Sequence, residues 1–309
     1  MDYAALFPGQ GSQEVGMGAR LFEECPDLLG ESADEILGWS LREVCLDGPL
    51  ERLTRTDIAQ PALFALSFAA WTVWRRRVTT PPAAGAGHSL GEYTALAAAG
   101  AIDFFEGLAL VAARGRAMAE AATETSSGMA AVIGAEPDQL EAICAGRRRE
   151  GGRLWVANLN APGQTVLAGA SEDLLWLGAV ASEVGLRRVV PLEVAGAFHT
   201  PLMEPAVEPY RSAVESVQFS PTTFPVWSNV DAVPHADDIA DKLVRQLTAP
   251  VRFAESLEGV AASGVTTFVH LGPGTVTAGM ARRTVADAAT AAVADFDSAS
   301  NAAVDLSVD

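Results

Sequence analysis

The chain predicts an α/β protein with a smaller α+β subdomain inserted in it, and three observations carry that reading. Short apolar segments near both ends read as strands of one main sheet separated by long helical stretches. Between about 126 and 198 the order becomes β-α-β-β-α-β, the ferredoxin-like split unit. Between them lies a G-x-S-x-G pentapeptide, Gly87-His88-Ser89-Leu90-Gly91, the pattern of a serine on a tight strand-to-helix turn. The expected division is 1–125 with 199–309 for the large subdomain and 126–198 for the insert.

Tyr3 to Phe7 reads as the first strand, followed by the turn Pro8-Gly9-Gln10-Gly11-Ser12. Gly9 and Gly11 start a dinucleotide fingerprint, but Glu14 stands where G-x-G-x-x-G needs its last glycine, so no nucleotide site is expected. Helices are expected over Gly18 to Cys25, Asp27 to Gly38, Leu41 to Leu46 and Ala59 to Arg77, the last stopped before Pro81-Pro82. Ala83 to Gly87 has two glycines and no β-branched residue, so only its position before the pentapeptide favours a strand. Leu90 to Ala99 is rich in good helix formers and ends at Gly100; Phe104 to Ala122 is a further helix carrying Arg114.

In the insert, strands are expected at Met129 to Ile133, Leu154 to Ala157, Thr165 to Leu167 and Arg187 to Pro191. Helices fall at Pro137 to Cys144 and Ser171 to Val184, and Asn160-Ala161-Pro162-Gly163 reads as a turn. Thr125 to Gly128 leads in and Ala195-Gly196-Ala197 leads out. Thr200 is placed to cap a helix beginning at Pro201, where the missing N–H costs nothing. Val226 to Ser228 and Thr266 to His270 read as strands of the main sheet. Leu271-Gly272-Pro273-Gly274 turns into a last helix ending near Arg283, and the Ala-, Asp- and Ser-rich tail from Thr284 is expected to be partly disordered.

Composition narrows the function. A net charge of −18 argues against nucleic acid and anionic membranes as main partners. No uninterrupted apolar run approaches the ~18 residues of a membrane span, and the N-terminus lacks a signal-peptide pattern. Cys25, Cys45 and Cys144 are odd in number and widely spaced, which fits a reducing cytoplasm and gives no disulfide framework or metal spacing. The arginine clusters (75–77, 147–149 with Arg153, and 187–188) read first as solvated surface groups, with docking of an acidic partner as the alternative.

A serine at the head of a helix faces free N–H groups and the positive end of the helix dipole, a setting for acyl transfer once a base is supplied. Four histidines are available. His88 adjoins the serine and is expected to point away from it; His235 lies in a polar turn and reads as a surface residue; His270 ends a strand and reads as a packed or edge residue. His199 follows Phe198 at the junction between insert and body, where clefts form, and is the best-placed base.

Five stretches then occur in one order: Phe7-Pro8-Gly9-Gln10-Gly11-Ser12-Gln13, Gln60-Pro61-Ala62-Leu63, Gly87 to Tyr93, Gly196 to Met203, and Gly272-Pro273-Gly274. Together they resemble the malonyl-CoA:acyl-carrier-protein transacylase family over nearly the whole chain. The resemblance implies an α/β-hydrolase-like large subdomain with an inserted ferredoxin-like small subdomain. It implies Ser89 as nucleophile and His199 as general base. Gln10 and the N–H of Leu90 would form the oxyanion hole. Arg114 would hold the malonyl carboxylate, Gln60 would line the pocket, and Gln246 would orient the histidine, with carbonyl oxygens rather than an acid behind the imidazole. Phe198 resembles the residue of malonyl-selective members, where methylmalonyl-selective ones tend to carry serine.

The implied partners are malonyl-CoA and an acyl carrier protein with its phosphopantetheine arm. The enzyme would be cytoplasmic and monomeric and act in trans, with no cofactor or metal, the CoA thioester being substrate. Arg153 and Arg187-Arg188 are the candidates for carrier docking. Two other readings stay open: a hydrolase clearing acyl groups from carrier proteins, and an inactive docking scaffold.

Overall fold

The computed structural model describes residues 2–307. Its strands are β1 (Tyr3–Phe7), β2 (Ala84–Gly87), β3 (Ser127–Ile133), β4 (Leu154–Ala161), β5 (Gln164–Ala170), β6 (Arg188–Pro191), β7 (Val226–Trp227), β8 (Thr267–Leu271) and β9 (Ala289–Val293). The main sheet has the order β7-β2-β1-β8-β9, with every neighbouring pair parallel. The second has the order β4-β5-β3-β6 and is antiparallel throughout. Its connectivity, with helices Pro137–Arg149 and Ser171–Val180 between strands, is that of the split β-α-β-β-α-β unit. The fold is an α/β-hydrolase-like large subdomain carrying an inserted ferredoxin-like small one.

Every residue of β1 is buried, as expected for a central parallel strand covered on both faces. β2 is a strand despite its Ala-Gly-Ala-Gly sequence because space, not propensity, decides there. A Cβ on Gly87 would lie 1.9 Å from the backbone of Gly91, so the helix Gly91–Ala98 sits directly against the strand end. The long helices Thr56–Arg77 and Phe104–Glu124 pack on one another beside the sheet, and the second presents Arg114 inward.

Several elements depart from expectation. The helix expected over 27–38 breaks at Gly30 into Pro26–Leu29 and Glu31–Leu37. The helix carrying Gln60 begins at Thr56, so Pro61 lies inside it and not in its first turn. Asn160 and Ala161 complete β4, leaving only Pro162-Gly163 as the turn. The helices Ile239–Arg245 and Phe253–Ala262 were not anticipated. Thr200 does cap the turn Pro201–Met203, which runs on into the helix Glu204–Glu215.

The tail is ordered as far as it is described, contrary to expectation. Residues 289–293 add β9 to the sheet edge, and Phe296–Ser307 is a helix lying on Thr56–Arg77. Its anchors are few (Ala299 and Ala302 buried, Phe296 under the Arg77 guanidinium at 3.8 Å), which is why composition alone resembled disorder. Positions 308 and 309 of that expected tail lie outside the described residues. Among the described residues no helix is long and apolar enough to cross a membrane.

Candidate active site

Ser89 sits at the C-terminal end of β2, where ligand sites form in parallel sheets. Its backbone is left-handed (φ 51°), a conformation that costs a non-glycine residue about 1–2 kcal/mol and persists only where the surroundings enforce it. Asn229, just after β7, supplies that enforcement. Its Oδ1 accepts the Ser89 N–H at 2.7 Å and its Nδ2 donates to the Gly87 carbonyl at 2.7 Å. Leu90 occupies the N-cap position of the following helix and lines the cleft beside Ser89.

His199 also has a left-handed backbone (φ 61°) and is buried. Its Nε2 lies 2.8 Å from Ser89 Oγ, and its Nδ1 lies 2.8 Å from the Gln246 backbone carbonyl. A carbonyl only accepts, so the ring proton belongs on Nδ1, leaving the Nε2 lone pair facing the hydroxyl. Burial, and then the neighbouring Arg114 charge, push the ring down to about 3, against the raising effect of the Gln246 carbonyl. The imidazole is therefore neutral at physiological pH and able to take the serine proton.

Arg114 is 1% exposed. Nη1 donates to Gln60 Oε1 at 2.6 Å, while Nη2 donates to Gln246 Oε1 at 2.8 Å and to Ser89 Oγ at 3.1 Å. The guanidinium lies 5.2 Å from the Tyr93 ring centroid, and its Nε is buried without a hydrogen-bond partner among the described residues. Among the described residues no carboxylate forms an ion pair with it. A buried cation held by neutral amides, next to a hydroxyl and lining a cleft, has the chemistry to receive an anionic group.

The cleft has a volume of about 490 Å³ and runs between the two sheets. Gln10, Gln60, Leu90, Phe198 and Met280 line it along with Ser89, His199 and Arg114. Gln10 is half-exposed, with Nε2 3.4 Å from Thr56 Oγ1 and no bond to Ser89. A more open groove of about 630 Å³ over Phe22, Leu29 and Trp39 contains none of these residues.

Of the other histidines, His88 turns away from the serine to Asn160 Oδ1 at 2.7 Å. His270 is packed between Thr277 and Pro273, and burial pushes it down to about 4. His235 corrects the sequence reading: it is buried, not superficial, with Nε2 2.7 Å from Glu92 Oε1. Glu92, Asn229 and His235 were missed as parts of the site's surroundings. Glu92 had a signal, a lone charge in an otherwise apolar helix; Asn229 had only its place at the end of a strand.

The arginine clusters are also more engaged than solvated groups. Arg75 donates to the carbonyls of Val78 and Thr79 (2.6 and 2.7 Å), Arg147 pairs with Asp173 at 2.7 Å, and Arg148 pairs with Glu141 at 2.6 Å. Arg153 and Arg188 lie at opposite ends of the small sheet. Arg153 adjoins Ala170 at one end of the β4–β5 hairpin, while Arg188 shares a row with Ile133 and Gln164 at the other. Gln164 lines the cleft, and so do Met129 and Leu192 toward the other end, so position along the sheet does not separate the two arginines.

Comparison with known proteins adds the following. Residues 5–303 match the acyl transferase domain family. The malonyl CoA-acyl carrier protein transacylase of Bacillus subtilis is 41% identical over 296 residues, covering 94% of this chain and 93% of that protein. The acyl carrier protein S-malonyltransferase of Vibrio cholerae superposes with a TM-score of 0.92 at 39% identity, over 98% of this chain and 100% of that one. A malonyl-transacylase solved in complex with a type II polyketide synthase acyl-carrier protein gives a TM-score of 0.93 at 37% identity, over 99% and 100% of the two chains.

Proposed function

The chain belongs to the acyl transferase domain family, and from that premise we propose that it transfers a malonyl group from coenzyme A to the phosphopantetheine thiol of an acyl carrier protein. The observation that carries the malonyl reading is Arg114, a buried guanidinium that has no carboxylate partner among the described residues and whose Nη2 is 3.1 Å from Ser89 Oγ.

In this reading Ser89 Oγ attacks the thioester carbonyl as His199 Nε2 takes its proton. The Gln246 carbonyl, accepting from Nδ1, stabilises the imidazolium that forms. The oxyanion is held by the Leu90 N–H and by Gln10, each such donor being worth about 3 kcal/mol. Collapse of the tetrahedral intermediate breaks the C–S bond, and the imidazolium returns the proton to the departing thiolate. The acyl-serine is then attacked by the carrier thiol, with the same imidazole as base, restoring Ser89. Arg114 holds the free carboxylate through two parallel hydrogen bonds throughout, and Phe198 crowds the carbon that a branched extender would substitute.

These steps use no cofactor or metal, and a single chain supplies every group. The net charge of −18 supports a protein partner over nucleic acid or an anionic membrane, with local arginines at the cleft for an acidic carrier. Three buried free cysteines support a reducing, cytoplasmic setting. The test is coenzyme A release from malonyl-CoA with and without a holo carrier protein. Transfer is expected to depend on the carrier and to yield malonyl-carrier; free malonate released at the same rate without it would favour a hydrolase.

A further inference from the structure

Behind the site lies a buried carboxylate that the proposed reaction does not use. Glu92 is fully buried in the first turn of the helix Gly91–Ala98. Its Oε2 accepts the Asn229 backbone N–H at 3.0 Å and Gln246 Nε2 at 2.6 Å, and its Oε1 faces His235 Nε2 at 2.7 Å. His235 Nδ1 is buried and has no partner among the described residues. A proton there would be a buried donor without an acceptor, so the ring proton belongs on Nε2, donated to Glu92. Three donors thus converge on the carboxylate.

Gln246 connects this carboxylate to the cleft. Its two amide hydrogens are used by Glu92 Oε2 and by the Ser89 carbonyl at 3.1 Å, so its Oε1 is left to accept from Arg114 Nη2 at 2.8 Å. Turning the amide over would set Oε1 against a carboxylate and a carbonyl, and the NH₂ group against a guanidinium. We propose that Glu92, held in place by His235, is a positioning residue for substrate selection: it fixes the Gln246 amide with its oxygen toward Arg114 and so aims the guanidinium at the carboxylate of the incoming acyl group. The proposal rests on the reading of Arg114 as the carboxylate-binding residue.

The test separates substrate aiming from general stability. His235→Leu removes the donor while keeping bulk; His235→Gln returns an N–H at similar reach. Each is combined with Ser89→Ala, so that no acyl transfer occurs, and dissociation constants for malonyl-CoA and acetyl-CoA are measured by calorimetry. His235→Leu is expected to weaken malonyl-CoA binding about tenfold and acetyl-CoA binding less than about twofold, with His235→Gln recovering most of the loss. Equal weakening of both ligands, or no change in either, overturns the proposal.

Should His235→Leu fail to fold by circular dichroism, the nearly isosteric Glu92→Gln decides. A reduced malonyl-over-acetyl ratio supports the proposal, and an unchanged ratio overturns it. Ser89→Ala protein that binds malonyl-CoA no more tightly than acetyl-CoA would remove the Arg114 reading itself, and the proposal with it.

Discussion

Arg114→Ala should turn a malonyl-selective site into a poor and indifferent one. The side chain is 1% exposed and donates to Gln60, Gln246 and Ser89. Its removal leaves two amide oxygens each short of a donor, a stability cost of about 1–3 kcal/mol that a thermal melt will register. The larger effect is on the substrate. Breaking a buried ion pair by removing one partner costs about 3–5 kcal/mol, which at tenfold per 1.36 kcal/mol is from about 10² to nearly 10⁴ in kcat/KM for malonyl-CoA. Acetyl-CoA has no carboxylate to lose. The substitution also removes the Arg114 charge, one of the causes that depress His199, so the base is not weakened. Acetyl loading should therefore fall by less than about tenfold. The assay is coenzyme A release in a single turnover with each donor, compared as a ratio. Arg114→Lys keeps the charge but not the paired hydrogen bonds and should fall between. The reasoning is refuted if both donors lose the same factor, or if the malonyl preference survives in the alanine variant.

The depressed His199 makes a pH prediction. Loading kcat/KM should stay level from pH 8 to about pH 5, where an unshifted histidine would already have cost more than about tenfold. The same shift bears on stability. The folded value lies below the unfolded one, so the unfolded chain binds the extra proton between about 6.5 and about 3, and His199 contributes a loss of stability as pH falls through that window. Urea titrations at pH 7 and 5 should show a larger decrease for the native chain than for His199→Gln. Phe198→Ser, which opens the cleft wall, should raise methylmalonyl loading relative to malonyl by about tenfold, within the 1–3 kcal/mol that one methyl group is worth, as read by competition between the two donors. Arg188→Glu, in the row that runs through Ile133 to the cleft residue Gln164, should raise the carrier KM severalfold and leave loading from malonyl-CoA unchanged, as steady-state kinetics with varied carrier will check.

Much of this architecture was legible because local chemistry and global fold agree. β1 is a continuous apolar run, the insert alternates strand and helix with turn residues between, and Gly87 and Gly91 flank Ser89 because the backbone of one nearly touches the other. What sequence hid was decided by tertiary contact. β2 has no strand propensity and exists because its neighbours supply the ladder. The tail is held by Val285, Val293, Ala299, Ala302 and a single aromatic, few large side chains to signal order. His235 stands in a polar turn by sequence but is enclosed because Glu92, 143 residues earlier in the chain, needs a donor. Ser89 and His199 could be singled out from residue types and position. The roles of Gln60 and Gln246 came only from resemblance, since an amide's partners depend on which way it faces, and that is set by groups distant in the chain.

The most direct test of the account is the intact mass of the protein after brief exposure to malonyl-, methylmalonyl- and acetyl-CoA, with Ser89→Ala alongside, followed by addition of a holo carrier protein. The account predicts one malonyl adduct on the native chain, a much smaller acetyl adduct, none on Ser89→Ala, and loss of the adduct to the carrier thiol. An adduct that persists on Ser89→Ala, or coenzyme A release with no adduct at any time, would contradict it.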